Sequence, residues 1–407
     1  MKILVVTTKC PWPLNEGRAL RTYNLIRQAA RYHEITLCTF VQSRSEVDGL
    51  ENMREFCSEV HAIPLYMSWP RLALMFDVIR ELFGPVPLHA KKYARMSMRK
   101  LIARLLAKTQ FDVLHLDMLQ LAELADLGES MGVVLVEHNV ESQILERRFK
   151  NEKNFLRRIY LKYQANKLRR YENQKCGEVD QVVTVSDGDK EILQGMGVTT
   201  PITVVPNAVD VEFFQPAPEK PAADRLVYVG SLAWFPNEDA IRFFMDEIMP
   251  KISASRPALR LDVIGQVPNE AMISQWKSND RVRFLGFVDD IRPHVLSASV
   301  YIVPLRIGGG TRLKILDAMA MGKALVTTSI GCEGLGLEQG RQALIADTPD
   351  EFAKAVIGLL EHSSKIKELG ENSRAYVCEN FRWEQIAAVM EDVYSSAGAV
   401  RAAARDS

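Results

Sequence analysis

PLRIGGGTRLKILDAMAMG, Pro304 to Gly322, is the stretch whose reading decides the architecture. It grows out of SVYIVPL (299–305), an apolar run that predicts a buried strand. Gly308, Gly309 and Gly310 follow, and then a run of helical propensity with few polar positions, broken at Gly322. A strand, a Gly-rich turn and a helix together bring backbone N–H groups to an anion at the helix N-terminus. Arg312 and Lys314 fall in the expected first turn, the wrong end of the helix dipole for a cation. That placement costs roughly 0.3–1 kcal/mol each unless an anion offsets it. Asp317 lies three residues beyond Lys314 on the same face. Leu313, Leu316, Met319 and Ala320 are predicted to be buried, so the charged residues are expected to emerge at a cleft. The pattern points to a bound phosphate or diphosphate; the competing reading is a solvated helix end.

Around this stretch the pattern is a strand–helix alternation, the signature of parallel sheets. Downstream of Gln215–Asp224 (QPAPEKPAAD), which lacks periodicity, it runs RLVYVGS, a helix over Asn237–Ile248, LRLDVIG ending at Gly265, a helix over Glu270–Lys277, VRFLGFV, the opening stretch, ALVTTS and QALIAD. Helices over Asp350–Leu360 and Ser364–Cys378 and a terminal amphipathic FRWEQIAAVMEDVYSSA follow, with the tail from Ala397 expected to fray. Upstream, MKILVVTT, EITLCTFV, VHAIPL, FDVLHLD, GVVLVEHN, DQVVTVS and ITVVPNAVD read as strands, with a helix from about Ala19 to Tyr32 and a long helical segment over Glu141–Gly177. The expected fold class is α/β, two Rossmann-like domains with parallel sheets facing across a cleft and ligands at the carboxyl ends of the strands. The boundaries read as 1–208 for the first domain, 209–224 for a linker, 225–378 for the second, and 379–407 for a terminal helix and tail.

A chain of 407 residues, 47% hydrophobic and 25% charged, has the composition of a soluble protein with more than one core. Its net charge is zero but unevenly spread: residues 1–208 hold 29 Lys and Arg against 24 Asp and Glu. The excess sits in two segments, 71–108 and 147–175. These read either as solvated helix faces or as surfaces attracted to anionic lipid. No recognised binding module accompanies the charge, so nucleic acid is not an expected partner. The six cysteines are scattered without zinc spacing, no run reaches transmembrane length and the N-terminus reads as a strand. A cytoplasmic location is expected.

G-x-G-x-x-G is absent, which disfavours hydride transfer. Glu137, His138 and Asn139 come just past a buried strand, where open α/β sheets place catalytic groups. His138 has the pKa for acid–base work, though local sequence equally allows a histidine that merely ends a strand. Gly17 after the first strand, with Arg18 and Arg21 behind it, allows close backbone approach or a simple turn. Asn207 and Asp210 in VVPNAVD suit either a ligand or a turn. Ser231 and Asn237 follow the first strand of the second half, and Gly286, Phe287 and Val288 offer backbone amides to a nucleobase edge. DGD at 187–189 has D-x-D spacing, but Ser186 stands where a helix cap belongs, so no metal site is assigned.

EHN-x-E, PNxVDxxxF, YVGSLxWxPNxDA, RVxFLGFVxDIR and GGGTRLKILDAMAMGKALVTTSIGCEGL together resemble retaining glycosyltransferases of family 4, with the GT-B fold, over essentially the whole chain. Within that family the chain is similar to sugar transferases of bacterial exopolysaccharide loci, including those of PEP-CTERM systems. The resemblance implies that Arg312 and Lys314, with amides around Gly309, Gly310 and Thr311, hold the diphosphate of a nucleoside-diphosphate sugar. It puts Asp317 where the family's E-x(7)-E motif has its last Glu, which bonds the ribose, and Gly309 where the first Glu touches the sugar. Ser231 and Asn237 stand in place of the family's Arg and Lys, and Glu16-Gly17 in place of a Gly-Gly pair. His138 matches the family's active-site histidine. Front-face transfer without cofactor or obligatory metal is implied, to a saccharide or lipid-linked saccharide acceptor at the inner face of the plasma membrane. The terminal helix would cross back to the first domain. Two other functions suit the same pattern: a sugar-nucleotide 2-epimerase, which needs more acid–base groups than His138 and Glu137, and a non-catalytic scaffold, suggested by Gly309.

Overall fold

The computed structural model describes residues 1–14, 17–65, 84, 87, 90, 92–93, 95–152, 154–217, 221–308 and 312–406. Two compact units make up the chain: Met1–Pro206 with Trp383–Ser407, and Asn207–Arg382.

The first unit is built on seven parallel strands, β1 (Lys2–Thr7), β2 (Glu34–Val41), β3 (Glu59–Pro64), β4 (Val113–Leu116), β5 (Gly132–Glu137), β6 (Gln181–Thr184) and β7 (Ile202–Val204), in the order β3-β2-β1-β4-β5-β6-β7. Ile3 is in register with Ile35 on one side and Val113 on the other. The inner strands are buried along nearly their whole length, which is why they read as unbroken apolar runs. Strand order reverses between β1 and β4, and crossovers there leave a crevice at the carboxyl ends.

The second unit repeats the plan with six parallel strands: β8 (Ala222–Val229), β9 (Arg260–Ile264), β10 (Val282–Gly286), β11 (Ala298–Val303), β12 (Ala324–Thr327) and β13 (Leu344–Ile345). The order is β10-β9-β8-β11-β12-β13, so the reversal lies between β8 and β11. The opening stretch sits at that point, with its helix at Leu313–Ala320.

Several expected boundaries shift, each for a local reason. Of the expected linker 209–224, the described residues 209–217 and 221–224 are not free chain. Val209, Val211 and Phe214 are buried in the second core, Arg374 donates to the carbonyls of Val211 and Phe214, and β8 already begins at Ala222. Glu141–Gly177 is two helices, Glu141–Asn151 and Phe155–Cys176, because Asn154 caps the second by accepting from Arg157 N at 3.1 Å. The helix over Asn237–Ile248 starts earlier, at Phe235, and widens into a π turn at Phe244–Ile248. Glu270–Lys277 is two short 3-10 turns. The tail does not fray at Ala397. The helix Trp383–Asp406 is continuous, and Ala397 is buried against Gly132, where a Cβ would come within 2.4 Å of the Ala397 carbonyl group. Tyr394 of this helix is hydrogen-bonded to His115 Nδ1 at 2.7 Å. Of the basic segment 71–108, residues 71–83, 85–86, 88–89, 91 and 94 lie outside the described residues; Met96–Leu106 is a helix.

Candidate functional site

In the second unit, three strand ends converge through glycines. Gly230 follows β8, Gly265 follows β9 and Gly286 closes β10. Gly230 N donates to Ile264 O at 2.7 Å and Gly265 N to Gly286 O at 2.8 Å. Gly265 has φ +139°, and a Cβ there would stand 2.3 Å from Gly230 O. Backbone-to-backbone packing therefore accounts for Gly265, independently of any ligand.

Lys314 reaches under this turn. Its Nζ donates to Asn237 Oδ1 at 2.8 Å and to Tyr228 Oη at 3.0 Å, and lies 4.4 Å from the centre of the Tyr228 ring. Tyr228 also donates to Asn237 Oδ1 at 2.8 Å, while Asn237 Nδ2 donates to Ser231 O at 2.9 Å. Those bonds fix the amide orientation. They also make Asn237 the hinge of a Lys–Tyr–Asn cluster tied to the turn after β8. A Cβ on Gly230 would sit 2.8 Å from Lys314 Nζ. Among the described residues no carboxylate contacts this ammonium. Burial, with Arg312 adding to it, pushes its pKa down to about 7. A half-buried cation whose partners are neutral is an open position for an anion.

The helix begins at Leu313, so Arg312 is its N-cap residue and Lys314 its second position, with the ammonium folded inward instead of emerging. Arg312 Nη2 lies 3.3 Å from Ile330 O and 3.9 Å from Glu333 Oε2. Gly308, at φ +151°, gives the guanidinium room, since a Cβ would come within 2.5 Å of Arg312 Nη2. Asp317 Oδ1 is shut from solvent and has no hydrogen-bond partner; Tyr301 Oη on β11 is in the same condition. Burial pushes the Asp317 carboxyl up to about 8. Phe287, 60% exposed, stands at the end of β10 with Val288 half-buried behind it. Ser231 Oγ accepts from Ala233 N at 3.3 Å, a turn bond. Asn207 is buried, and Asp210 Oδ1 accepts from Glu212 N and Phe213 N at 3.0 and 2.8 Å, so Asp210 serves the turn. Gly309, Gly310 and Thr311 lie outside the described residues.

In the first unit the strand ends at the reversal carry a second cluster. His138 Nε2 lies 3.1 Å from Asp117 Oδ1, Thr22 Oγ1 donates to Asp117 Oδ2 at 2.7 Å, and His115 Nε2 is 3.5 Å from Oδ1. Burial opposes ionisation of Asp117, but the two imidazoles outweigh it and hold the carboxyl well below the usual carboxylate range. Burial lowers the pKa of His138, with Asp117 opposing, so at neutral pH the pair is a carboxylate accepting from a neutral ring. Arg21 is buried, donating to Val205 O at 2.7 Å and Pro206 O at 2.6 Å. Gly17 begins the helix Gly17–Ala29 and is exposed, and Arg18 Nη1 points at Met118 Sδ, 3.0 Å away. Glu137 does not join this group: it is 1% exposed, 3.8 Å from Cys176 Sγ, and burial with Glu172 nearby raises its pKa well above normal. Ser186 caps the helix Asp187–Gly195, its Oγ accepting from Asp189 N at 3.1 Å and donating to Asp189 Oδ2 at 2.6 Å.

Sequence reasoning misses Asp117, Tyr228 and Tyr394. Asp117 has a usable signal, since it ends FDVLHLD as His138 ends VVLVEH. Tyr228 and Tyr394 have none, because the Lys314 that Tyr228 meets and the His115 that Tyr394 meets lie 86 and 279 residues away.

Two family models cover most of the chain: "Glycosyltransferase Family 4" matches residues 17–213 and "Glycosyl transferases group 1" residues 223–362. A relative from Klebsiella pneumoniae, described only as a 44.6 kDa protein in the cps region, is 23% identical over 93% of this chain and 96% of its own length. The gpi3 subunit of phosphatidylinositol N-acetylglucosaminyltransferase from Schizosaccharomyces pombe is 28% identical over 57% of this chain, and the match spans 51% of that protein. Among solved structures, sucrose-phosphate synthase from Thermosynechococcus elongatus superposes with TM-score 0.72 at 16% identity, covering 98% of this chain and all of that one. Anabaena HepE in complex with UDP gives 0.69 at 14% identity over 97% of this chain and all of its own. At such identities the superpositions speak for the fold.

Proposed function

Because the chain belongs to glycosyltransferase family 4, with the GT-B fold and transferase activity, we propose that it moves a sugar from a nucleoside-diphosphate donor, with retention, to a saccharide or lipid-linked saccharide acceptor in bacterial exopolysaccharide synthesis. The observation that carries the reading is Lys314: a half-buried ammonium with neutral partners, beside Arg312, at the strand ends where the second sheet reverses. A diphosphate supplies the negative charge that this ammonium lacks. The cps-region relative and the UDP-bound HepE structure support the pathway and the donor class respectively.

In the reaction the bond from the anomeric carbon to the diphosphate oxygen breaks, and the acceptor oxygen bonds to that carbon on the same face. Charge develops on the leaving diphosphate, where Arg312 and Lys314 stabilise it more in the transition state than in the ground state. The acceptor proton passes to the departing phosphate, so no carboxylate pair is required. Asp317, at the place of the family's last motif Glu, takes the hydroxyls of the nucleotide ribose; its carboxyl has an oxygen without a partner. His138, held by Asp117, hydrogen-bonds the transferred sugar. Glu137 is turned into the core against Cys176, which leaves epimerisation short of a second acid–base group. All six cysteines are free thiols, which supports a reducing, cytoplasmic location. Among the described residues no helix is long and apolar enough to cross a membrane.

The test is release of nucleoside diphosphate from a panel of nucleotide sugars in the presence of membrane extract. Arg312→Ala and Lys314→Ala are expected to abolish turnover with the thermal midpoint retained. Unchanged activity in both overturns the site assignment, and an NMR product spectrum showing only the inverted sugar nucleotide overturns transfer in favour of epimerisation.

A further inference from the structure

The helix Phe155–Cys176 has two apolar faces. Leu161, Gln164, Ala165, Leu168, Tyr171, Glu172 and Cys176 are buried against the first unit. On the opposite side Phe155 (72%), Leu156 (76%), Ile159 (53%), Tyr160 (45%) and Tyr163 (47%) are exposed. At 100° per residue these five positions fall within about 140° of arc, centred roughly opposite the packed face. Single exposed apolar residues are ordinary, but five large ones contiguous on one helix face mark a contact surface. The charge around them is predominantly positive: from Arg147 to Arg170 the sequence holds ten Lys or Arg and one acidic residue, Glu152, with Glu146 just before paired to Lys150 at 2.8 Å. Arg148, Lys150, Arg157, Arg158 and Lys162 are all exposed. Beside the same helical hairpin lies a pocket of about 440 Å³ with Arg147, Lys150 and Arg169, and also Glu146, in its wall.

We propose that this helical hairpin is a membrane-docking element, on which Phe155, Leu156, Ile159, Tyr160 and Tyr163 enter the headgroup–acyl boundary of an anionic bilayer while the flanking Arg and Lys engage lipid phosphates. The composition decides between occupants. A second copy of the chain would bring the same dense positive charge against itself, which is repulsive, whereas an anionic lipid surface complements it. Aromatic and aliphatic side chains in a basic rim are the pattern of helices that lie in the interface plane without spanning it. The inference rests on the reading that the acceptor is lipid-linked, and it places the first unit at the surface where such an acceptor is held.

Co-sedimentation of the full chain with vesicles tests it, comparing phosphatidylglycerol–phosphatidylcholine mixtures with pure phosphatidylcholine. The protein is expected to pellet with the anionic vesicles only. Phe155→Ser/Leu156→Ser/Ile159→Ser is expected to weaken that binding at least tenfold, and Lys162→Glu/Arg170→Glu similarly, because each cation at such a surface contributes about fivefold. A Leu156→Trp variant is expected to shift its emission to the blue on anionic vesicles and to be quenched by brominated lipid. Thermal midpoints and nucleoside-diphosphate binding should be unchanged in all of them, which separates this surface from the donor site. Equal binding to both vesicle types overturns the proposal. So does salt-sensitive binding that the triple Ser variant leaves intact, with the emission of the Leu156→Trp variant unquenched. A dimer, seen by light scattering, that the triple variant dissociates while the parent ignores vesicles overturns it as well.

Discussion

Binding of the donor should take up a proton, and Lys314 is the reason. With its ammonium half-buried among Tyr228, Asn237 and the Gly230 turn, and its pKa at about 7, the side chain is about half neutral at pH 7 and about nine-tenths neutral at pH 8. A nucleotide-sugar diphosphate, a diester that does not itself titrate in this range, binds the charged form. The complex therefore holds a proton that the free protein has partly lost. Uptake is expected to be about 0.5 proton per site at pH 7 and about 0.9 at pH 8, and affinity to fall about fifty-fold from pH 7 to pH 9. The sign follows from the depressed pKa: binding tightens as pH falls towards 7 and levels off below it. Calorimetry in buffers of differing ionisation enthalpy reads the uptake directly. Lys314→Arg, which keeps the charge without titrating, should flatten the pH dependence. Asp317→Asn removes the second group that titrates at about pH 8 and should leave the Lys314 profile in place. An affinity flat from pH 6.5 to 9, with binding heat independent of buffer, refutes the placement of the diphosphate at Lys314.

Asp117→Asn should lower kcat by roughly two orders of magnitude with a smaller effect on KM, since it removes the carboxylate that orients His138 while leaving donor contacts in the second unit intact. The His138 ring resonances should move to a lower titration midpoint, which a change in packing alone does not produce. Gly265→Ala should cost about 1–3 kcal/mol, seen as a lower thermal midpoint, because φ +139° is strained for Ala and its Cβ would meet Gly230 O. An unchanged midpoint would show that the strand-end packing yields more readily than the geometry implies.

How far the sequence carries depends on the range of the interaction. Ser186 capping Asp189 is readable because both partners lie within one helical turn, and the strands are readable because doubly covered parallel strands must be apolar throughout. The break at Asn154 is not: residues on both sides favour helix, and only the cap bond to Arg157 selects the boundary. The buried Val209, Val211 and Phe214 look like linker for a similar reason, since three spaced apolar residues carry no period until Arg374 gathers the carbonyls of Val211 and Phe214.

The sequence alone determined the α/β alternation, the order of the two sheets along the chain and the presence of Arg312, Lys314 and Asp317 after β11, because these are properties of residue type and near spacing. It also contained the family's motifs, whose residues stand in order. Tertiary structure decided where the charges point. Lys314 reads as a first-turn cation emerging at a cleft to meet an anion, yet its ammonium turns inward beneath Gly230, since Tyr228 and Asn237, 86 and 77 residues distant, offer it oxygens there. The same holds for Asp117 beside His138, and for Phe155, Leu156 and Ile159, whose exposure only the packing of the helix Phe155–Cys176 shows. Local spacing fixes which groups a chain carries; desolvation and pairing across the fold fix which of them are left wanting a partner.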